Sequence, residues 1–170
     1  MGYVHDTSMV EVIPLEQMTF YGGTWSDIVL GGNLWCKRRT AADTTFTVKL
    51  PLPLPQSSAP GKGAWLQAVE VFYKVGSGGI DSLSAAIYQT TLPLDGAAFT
   101  PAQAQSFSYD AGHDTAAERI DNDEHRMTLT LSTPLLMEAG KLAHLELAGD
   151  GSLTATFELY AVQVYYTLRL

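Results

Sequence analysis

The densest set of side chains able to do chemistry lies between positions 110 and 125. Asp110, His113, Asp114, Glu118, Asp121, Asp123, Glu124 and His125 all fall there. Carboxylates are the hard oxygen donors that Ca2+ requires, and Asp121, Asp123 and Glu124 are the Ca2+ candidates. The run Asp121-Asn122-Asp123-Glu124 lacks the glycine and the twelfth-position glutamate of an EF-hand loop. The stretch therefore reads as a solvated acidic loop leading into a strand, and no metal is expected. His113 and His125 stand twelve residues apart, with no Cys or third His to give zinc-like spacing. His5 and His144 are isolated, and His144 reads as a surface or interface residue.

Other chemistries find less support. A glycosidase needs two carboxylates facing each other across a cleft. Glu70, Glu146 and Glu158 each sit opposite apolar strand neighbours and read as ordinary outward residues. There is no Gly-x-Ser-x-Gly elbow, no P-loop and no Gly-x-Gly-x-x-Gly. Cys36 is the single cysteine, so no intrachain disulfide can form, and its apolar setting in Leu34-Trp35-Cys36 reads as a small buried hydrophobe. Lys37-Arg38-Arg39 reads as a solvated turn at a strand end. Trp25, Trp35, Trp65 and the tyrosines are able to form a sugar-stacking shelf, although most occupy core parity in their strands. The expectation is a protein without catalytic residues or cofactor, and not an enzyme.

The elements that would hold these residues are strands. Period-two alternation recurs throughout, broken by Gly, Pro, Asp and Asn. The clearest strand is 160–170, with Tyr160, Val162, Val164, Tyr166, Leu168 and Leu170 on one face. Next come 125–133, where Met127, Leu129 and Leu131 share a face before Pro134 ends the ladder, and 65–75, where Trp65, Gln67, Val69, Val71 and Tyr73 do. Further strands are expected at 33–38, 44–50, 82–91, 142–147 and 154–159. Gly76-Ser77-Gly78-Gly79 reads as a hairpin turn, and Gly149-Asp150-Gly151 as a tight turn. The fold class is all-β: an antiparallel two-sheet β-sandwich of jelly-roll type with about eight strands. Residues 1–25 read as an N-terminal arm and 26–170 as one sandwich domain. The proline-rich 51–63 reads as an extended surface connector, and 95–124 as a long polar stretch.

Composition narrows the partners. With a net charge of −8 and only 16% charged residues, the chain offers no basic face for nucleic acid. No apolar run reaches membrane-span length, and the first residues lack the pattern of a signal peptide, so synthesis and folding in a cytoplasm are expected.

Two segments carry a resemblance. Leu66–Gly76 followed by Ile80–Ala85, and His125–Pro134 followed by Leu153–Tyr160, resemble small β-proteins encoded among the structural genes of tailed bacteriophages. The likeness spans roughly 33–170. It implies a virion structural protein, a capsid decoration or head-associated subunit. Such a subunit would be trimeric, bind itself and the major capsid protein or other virion proteins, and reside in the virion. No site residues come with it. A carbohydrate-binding or receptor-binding module with a glycan partner is the alternative, and a hydrolase on the same scaffold a third reading.

Overall fold

Period-two alternation gives each strand one apolar face, and two sheets bury those faces against each other. The computed structural model describes residues 6–32, 34–57, 62–93, 95–98 and 100–169. They form twelve strands, with one 3₁₀ turn at Leu15–Gln17. In chain order the strands are β1 (Asp6–Ile13), β2 (Thr19–Tyr21), β3 (Trp25–Leu30), β4 (Leu34–Arg39), β5 (Thr45–Leu52) and β6 (Gly63–Val75). They continue as β7 (Ser82–Thr91), β8 (Gln103–Gln105), β9 (Phe107–Tyr109), β10 (Glu124–Met137), β11 (Lys141–Asp150) and β12 (Phe157–Arg169).

The larger sheet runs β3-β4-β12-β6-β10-β9, with β1 also paired to β12; the smaller runs β2-β5-β11-β7-β8. All pairings within the sheets are antiparallel. The fold is the antiparallel sandwich of jelly-roll type that the alternation predicts. The strand number rises to twelve because β1, β2 and β3 form in and just after the expected arm and two more strands form in the polar stretch. The tripeptides β8 and β9 arise inside the polar stretch 95–124. Residues 6–21 supply one strand to each sheet: β1 pairs with β12, and β2 with β5.

The core fills from matched registers. In the smaller sheet, Leu145 lies between Leu50 and Ile87, and Leu147 between Val48 and Ala85. In the larger, Val71 lies between Val162 and Met127, and Val69 between Val164 and Leu129. These residues are buried in one cluster, apart from Ala85, which packs half-buried against it.

Several sequence expectations are corrected by pairing. The expected strands 154–159 and 160–170 are one strand, β12, and Leu170 lies outside the described residues. A bulge between Leu159 and Ala161 reverses its parity, so Tyr160 leaves the core face while Phe157, Leu159, Val162, Val164 and Tyr166 stay on it. On β6, Ala68 pairs with Tyr165 and Leu66 with Tyr166, leaving Gln67 as the extra residue. Leu66 is buried and Trp65 turns outward. Pro134 does not end β10, which continues to Met137 after an irregularity between Thr130 and Leu135.

The loop at 76–79 is not a hairpin, because β6 and β7 belong to different sheets; the 149–151 segment likewise lies at a crossing between sheets. The two crossings pack tightly. Gly78 has φ +105, and a Cβ there would meet Thr154 Oγ1 at 2.5 Å. In the proline-rich connector, Leu50, Leu52 and Leu54 are buried while the intervening prolines face out, and the start of the segment belongs to β5. Period-two alternation therefore persists through it.

Candidate functional site

The outward face of the larger sheet is built from residues that alternate with the core. From β12 come Glu158, Ala161, Gln163 and Tyr165, with Tyr160 added by its bulge. From β6 come Lys74, Phe72, Glu70 and Ala68, and from β10 Glu124, Arg126 and Thr128. Register aligns them: Gln163 faces Glu70, which faces Thr128, and Ala161 faces Phe72, which faces Arg126.

Two carboxylates anchor this face. Glu70 is 3% exposed. It accepts hydrogen bonds from Arg126 Nε (2.7 Å), Tyr165 Oη (2.7 Å) and Thr128 Oγ1 (3.2 Å). Burial works to raise its pKa, but the bonds from Arg126, Tyr165 and Thr128 outweigh burial, and Glu70 titrates below the ordinary glutamate range. Glu158 is 6% exposed. Its Oε1 takes both Arg38 Nε (2.8 Å) and Nη2 (2.7 Å), and its Oε2 takes the Tyr160 hydroxyl at 2.6 Å. Burial first, then Glu158, pushes the Tyr160 phenol well up, which keeps it a donor. Glu70 and Glu158 thus point outward as their alternation predicts, but Arg and Tyr side chains roof them over. Glu146 remains partly exposed and pairs with Lys49 at 3.0 Å.

Between these anchors lies a groove of about 540 Å³, within the size range of small-molecule sites. Leu34, Phe72, Tyr160 and Ala161 give it an apolar wall, and Glu124, His125, Arg126 and Gln163 supply polar groups. Arg126 lies over the Phe72 ring at 5.9 Å and spends its Nε on Glu70. The guanidinium is therefore held beside the groove through its Nε. Such an arrangement can hold a flat, partly apolar, polyhydroxylated ligand: ring faces for its apolar side, and fixed donors and acceptors for its hydroxyls.

The Lys37-Arg38-Arg39 run is a strand and not a solvated turn. Arg38 covers Glu158, Lys37 pairs with Asp27, and Arg39 is fully buried. The Arg39 guanidinium is held by the carbonyls of Ala42 and Thr44 and by Thr44 Oγ1, and lies 5.0 Å from the Phe46 ring. Cys36 is buried as expected, though outside the main core cluster, and burial pushes its thiol pKa up. Trp25 packs against Phe20 and Phe46, Trp35 is 58% exposed, and Trp65 is half-buried on the outward face.

The acidic loop is more ordered than a solvated loop would be. Asp123 caps the Glu124 N–H, and Glu124 pairs with Lys74. Asp121 presents its backbone carbonyl to His125 Nε2 at 2.9 Å. Among the described residues, no group of three or more His, Cys, Asp and Glu side chains is arranged to hold a metal ion, so Asp121, Asp123 and Glu124 do not converge. The loop does bring His113 and His125 together, with Nε2 of the first 3.2 Å from Nδ1 of the second. His144 stacks on Tyr88 (centroids 5.1 Å apart) on the outward face of the smaller sheet, and His5 lies outside the described residues. The groove itself had one sequence signal, the outward aromatic parity of Phe72.

No family model matches the chain, and no curated protein matches it. Solved structures do. CsCBM6-3 from Clostridium stercorarium, in complex with cellobiose, aligns at 11% identity and TM-score 0.37 over 94% of this chain and 92% of that one. A carbohydrate esterase from the Shiga toxin-encoding bacteriophage phi24B aligns at 13% and 0.42 over 92% of each chain. TmCBM61 in complex with β-1,4-galactotriose aligns at 11% and 0.36 over 96% of this chain and 88% of that one.

Proposed function

We propose that this chain is a carbohydrate-binding β-sandwich module whose ligand lies in the outward groove of the larger sheet. One observation carries the reading. The groove combines half-buried rings, Phe72 and Tyr160, with polar groups held in place by bonds to buried carboxylates. Preorganised polar groups bind a sugar without an ordering cost at the moment of binding. The reading requires no reaction. Glu70 and Glu158, the carboxylates beneath the groove, are fully engaged, and Glu70 lies on the wrong side of the ordinary range for a general acid.

The test is an array of neutral and acidic oligosaccharides, followed by calorimetry on any hit. Phe72→Ala is expected to weaken binding roughly tenfold or more, as loss of a buried aromatic anchor does. Absence of binding across the array removes the proposal.

A second reading, a virion structural subunit such as a trimeric capsid decoration protein, is favoured by one observation. Val10 and Val12, each 55% exposed, face outward on β1 beside Tyr165 and Gln163. Among the described residues β1 has a strand on one side only. An apolar edge strand invites pairing with another chain. Light scattering decides this: a stable trimer supports it, and a monomer with no affinity for phage heads removes it.

A further inference from the structure

The polar contacts around His113 and His125 leave a feature that the groove does not use. Asp110 is a carboxylate, held so by the Thr128 and Gly112 N–H groups at 2.6 and 3.0 Å, and therefore accepts. His113 Nδ1, 2.8 Å away, must carry the proton it accepts. At the other end His125 Nε2 faces the carbonyl of Asp121 at 2.9 Å, and a carbonyl also only accepts. Each neutral imidazole has one N–H, and both are now spent. With both rings neutral, the remaining nitrogens, His113 Nε2 and His125 Nδ1, would face each other across 3.2 Å with a lone pair each. That gap must hold positive charge, either a proton that makes one ring an imidazolium beside Asp110 or a metal ion on which both lone pairs converge.

The separation also fits two ligands on one metal. Zn–N bonds of about 2.0–2.1 Å at a tetrahedral angle place two nitrogens about 3.3 Å apart. Both rings also carry the outer bond typical of metal-ligating histidine, one to a carboxylate and one to a backbone carbonyl. The rings are held from behind: His125 stacks on the buried Tyr73 at 4.5 Å and 7°, and Arg119 Nη1 bonds the His113 carbonyl at 2.8 Å.

We propose that His113 Nε2 and His125 Nδ1 hold one divalent transition-metal ion of the Zn2+ class. Among the described residues no third side chain completes the set, so water takes the remaining positions. The ion ties the 110–123 loop to the start of β10, beside the groove that His125 borders.

The experiment uses chelator-stripped full-length protein. Calorimetry with Zn2+ and visible absorption with Co2+ are expected to show one saturable site per chain. Imidazole 15N spectra of the unmodified protein should shift at His113 Nε2 and His125 Nδ1, and not at His144. His125→Asn should abolish the site and His144→Ala should leave it intact, while Asp110→Asn should weaken it roughly 10–100-fold, as loss of an outer hydrogen bond to a ligating histidine does. The proposal is overturned if unmodified protein shows no saturable Zn2+ or Co2+ site, or if His125→Asn binds as the parent does. It is equally overturned if the 15N spectra show a proton shared between the rings and no response to metal.

Discussion

Removing one oxygen from Tyr160 tests the outward face at its most constrained point. In Tyr160→Phe the ring stays and the hydroxyl goes. Glu158 Oε1 keeps both Arg38 nitrogens, but Oε2 loses its donor at 2.6 Å in a residue that is 6% exposed. A buried acceptor left unpaired costs about 1–3 kcal/mol, with charged acceptors toward the upper end. A central value of ~2 kcal/mol corresponds to a melting-temperature drop of about 4–8 °C for a chain of this length. Calorimetric or urea unfolding measures it. Glu158→Ala supplies the second arm of a double-mutant cycle, since without the carboxylate the hydroxyl has nothing to satisfy. The Tyr160→Phe penalty should then shrink to within about 0.5 kcal/mol of zero. A penalty below about 0.5 kcal/mol in the parent background, or one unchanged by Glu158→Ala, refutes the argument. Glycan affinity should fall with Tyr160→Phe, because the Tyr160–Glu158 bond is one of the two that hold the groove's groups in place.

Two further outcomes follow from the same geometry. Glu70 has a folded pKa below its ordinary 4.5, so its contribution to stability is complete above that value and is lost as pH falls through the lower folded one. Glu70→Gln should flatten the acid limb of a stability-against-pH curve, and an unchanged limb contradicts the assignment. At Gly149 a Cβ would lie 2.5 Å from Phe46 Cζ and 2.8 Å from the Ser82 carbonyl. Gly149→Ala should cost about 1–3 kcal/mol by urea unfolding, partly recovered by Phe46→Leu because the Ser82 contact is backbone.

How far the fold was legible depended on whether a residue's fate is set by its own strand. Val69, Val71 and Tyr73 on β6, Met127, Leu129 and Leu131 on β10, and Val162, Val164 and Tyr166 on β12 read correctly from alternation alone. Trp65 and Tyr160 did not, because a bulge is an extra residue relative to a partner strand and leaves no mark in the strand that carries it. Glu70 and Glu158 were placed on the right face. Their burial depends on Arg126 and Tyr165, or Arg38, arriving by cross-strand register, and on the β12 bulge that turns Tyr160 back toward Glu158. The His113–His125 contact was hidden for a similar reason: twelve residues of loop carry one ring back to the other. The Leu-Pro alternation hid only the end of a strand: 44–50 was legible, but proline suggests a connector where Pro51 and Leu52 continue β5.

The pairing of β1 with β12 has a mechanical consequence. Asp6 lies opposite Arg169 and Ile13 opposite Val162, so the two strands run antiparallel with position 6 beside position 169. A load drawn between those two positions would peel the pair like a zipper, one rung at a time, and never shear all rungs together. Resistance to such a load is then set by single backbone rungs, not by their sum. The same adjacency brings positions 6 and 169 close enough for a short peptide to join them, so a circularly permuted chain could reopen elsewhere without losing a rung.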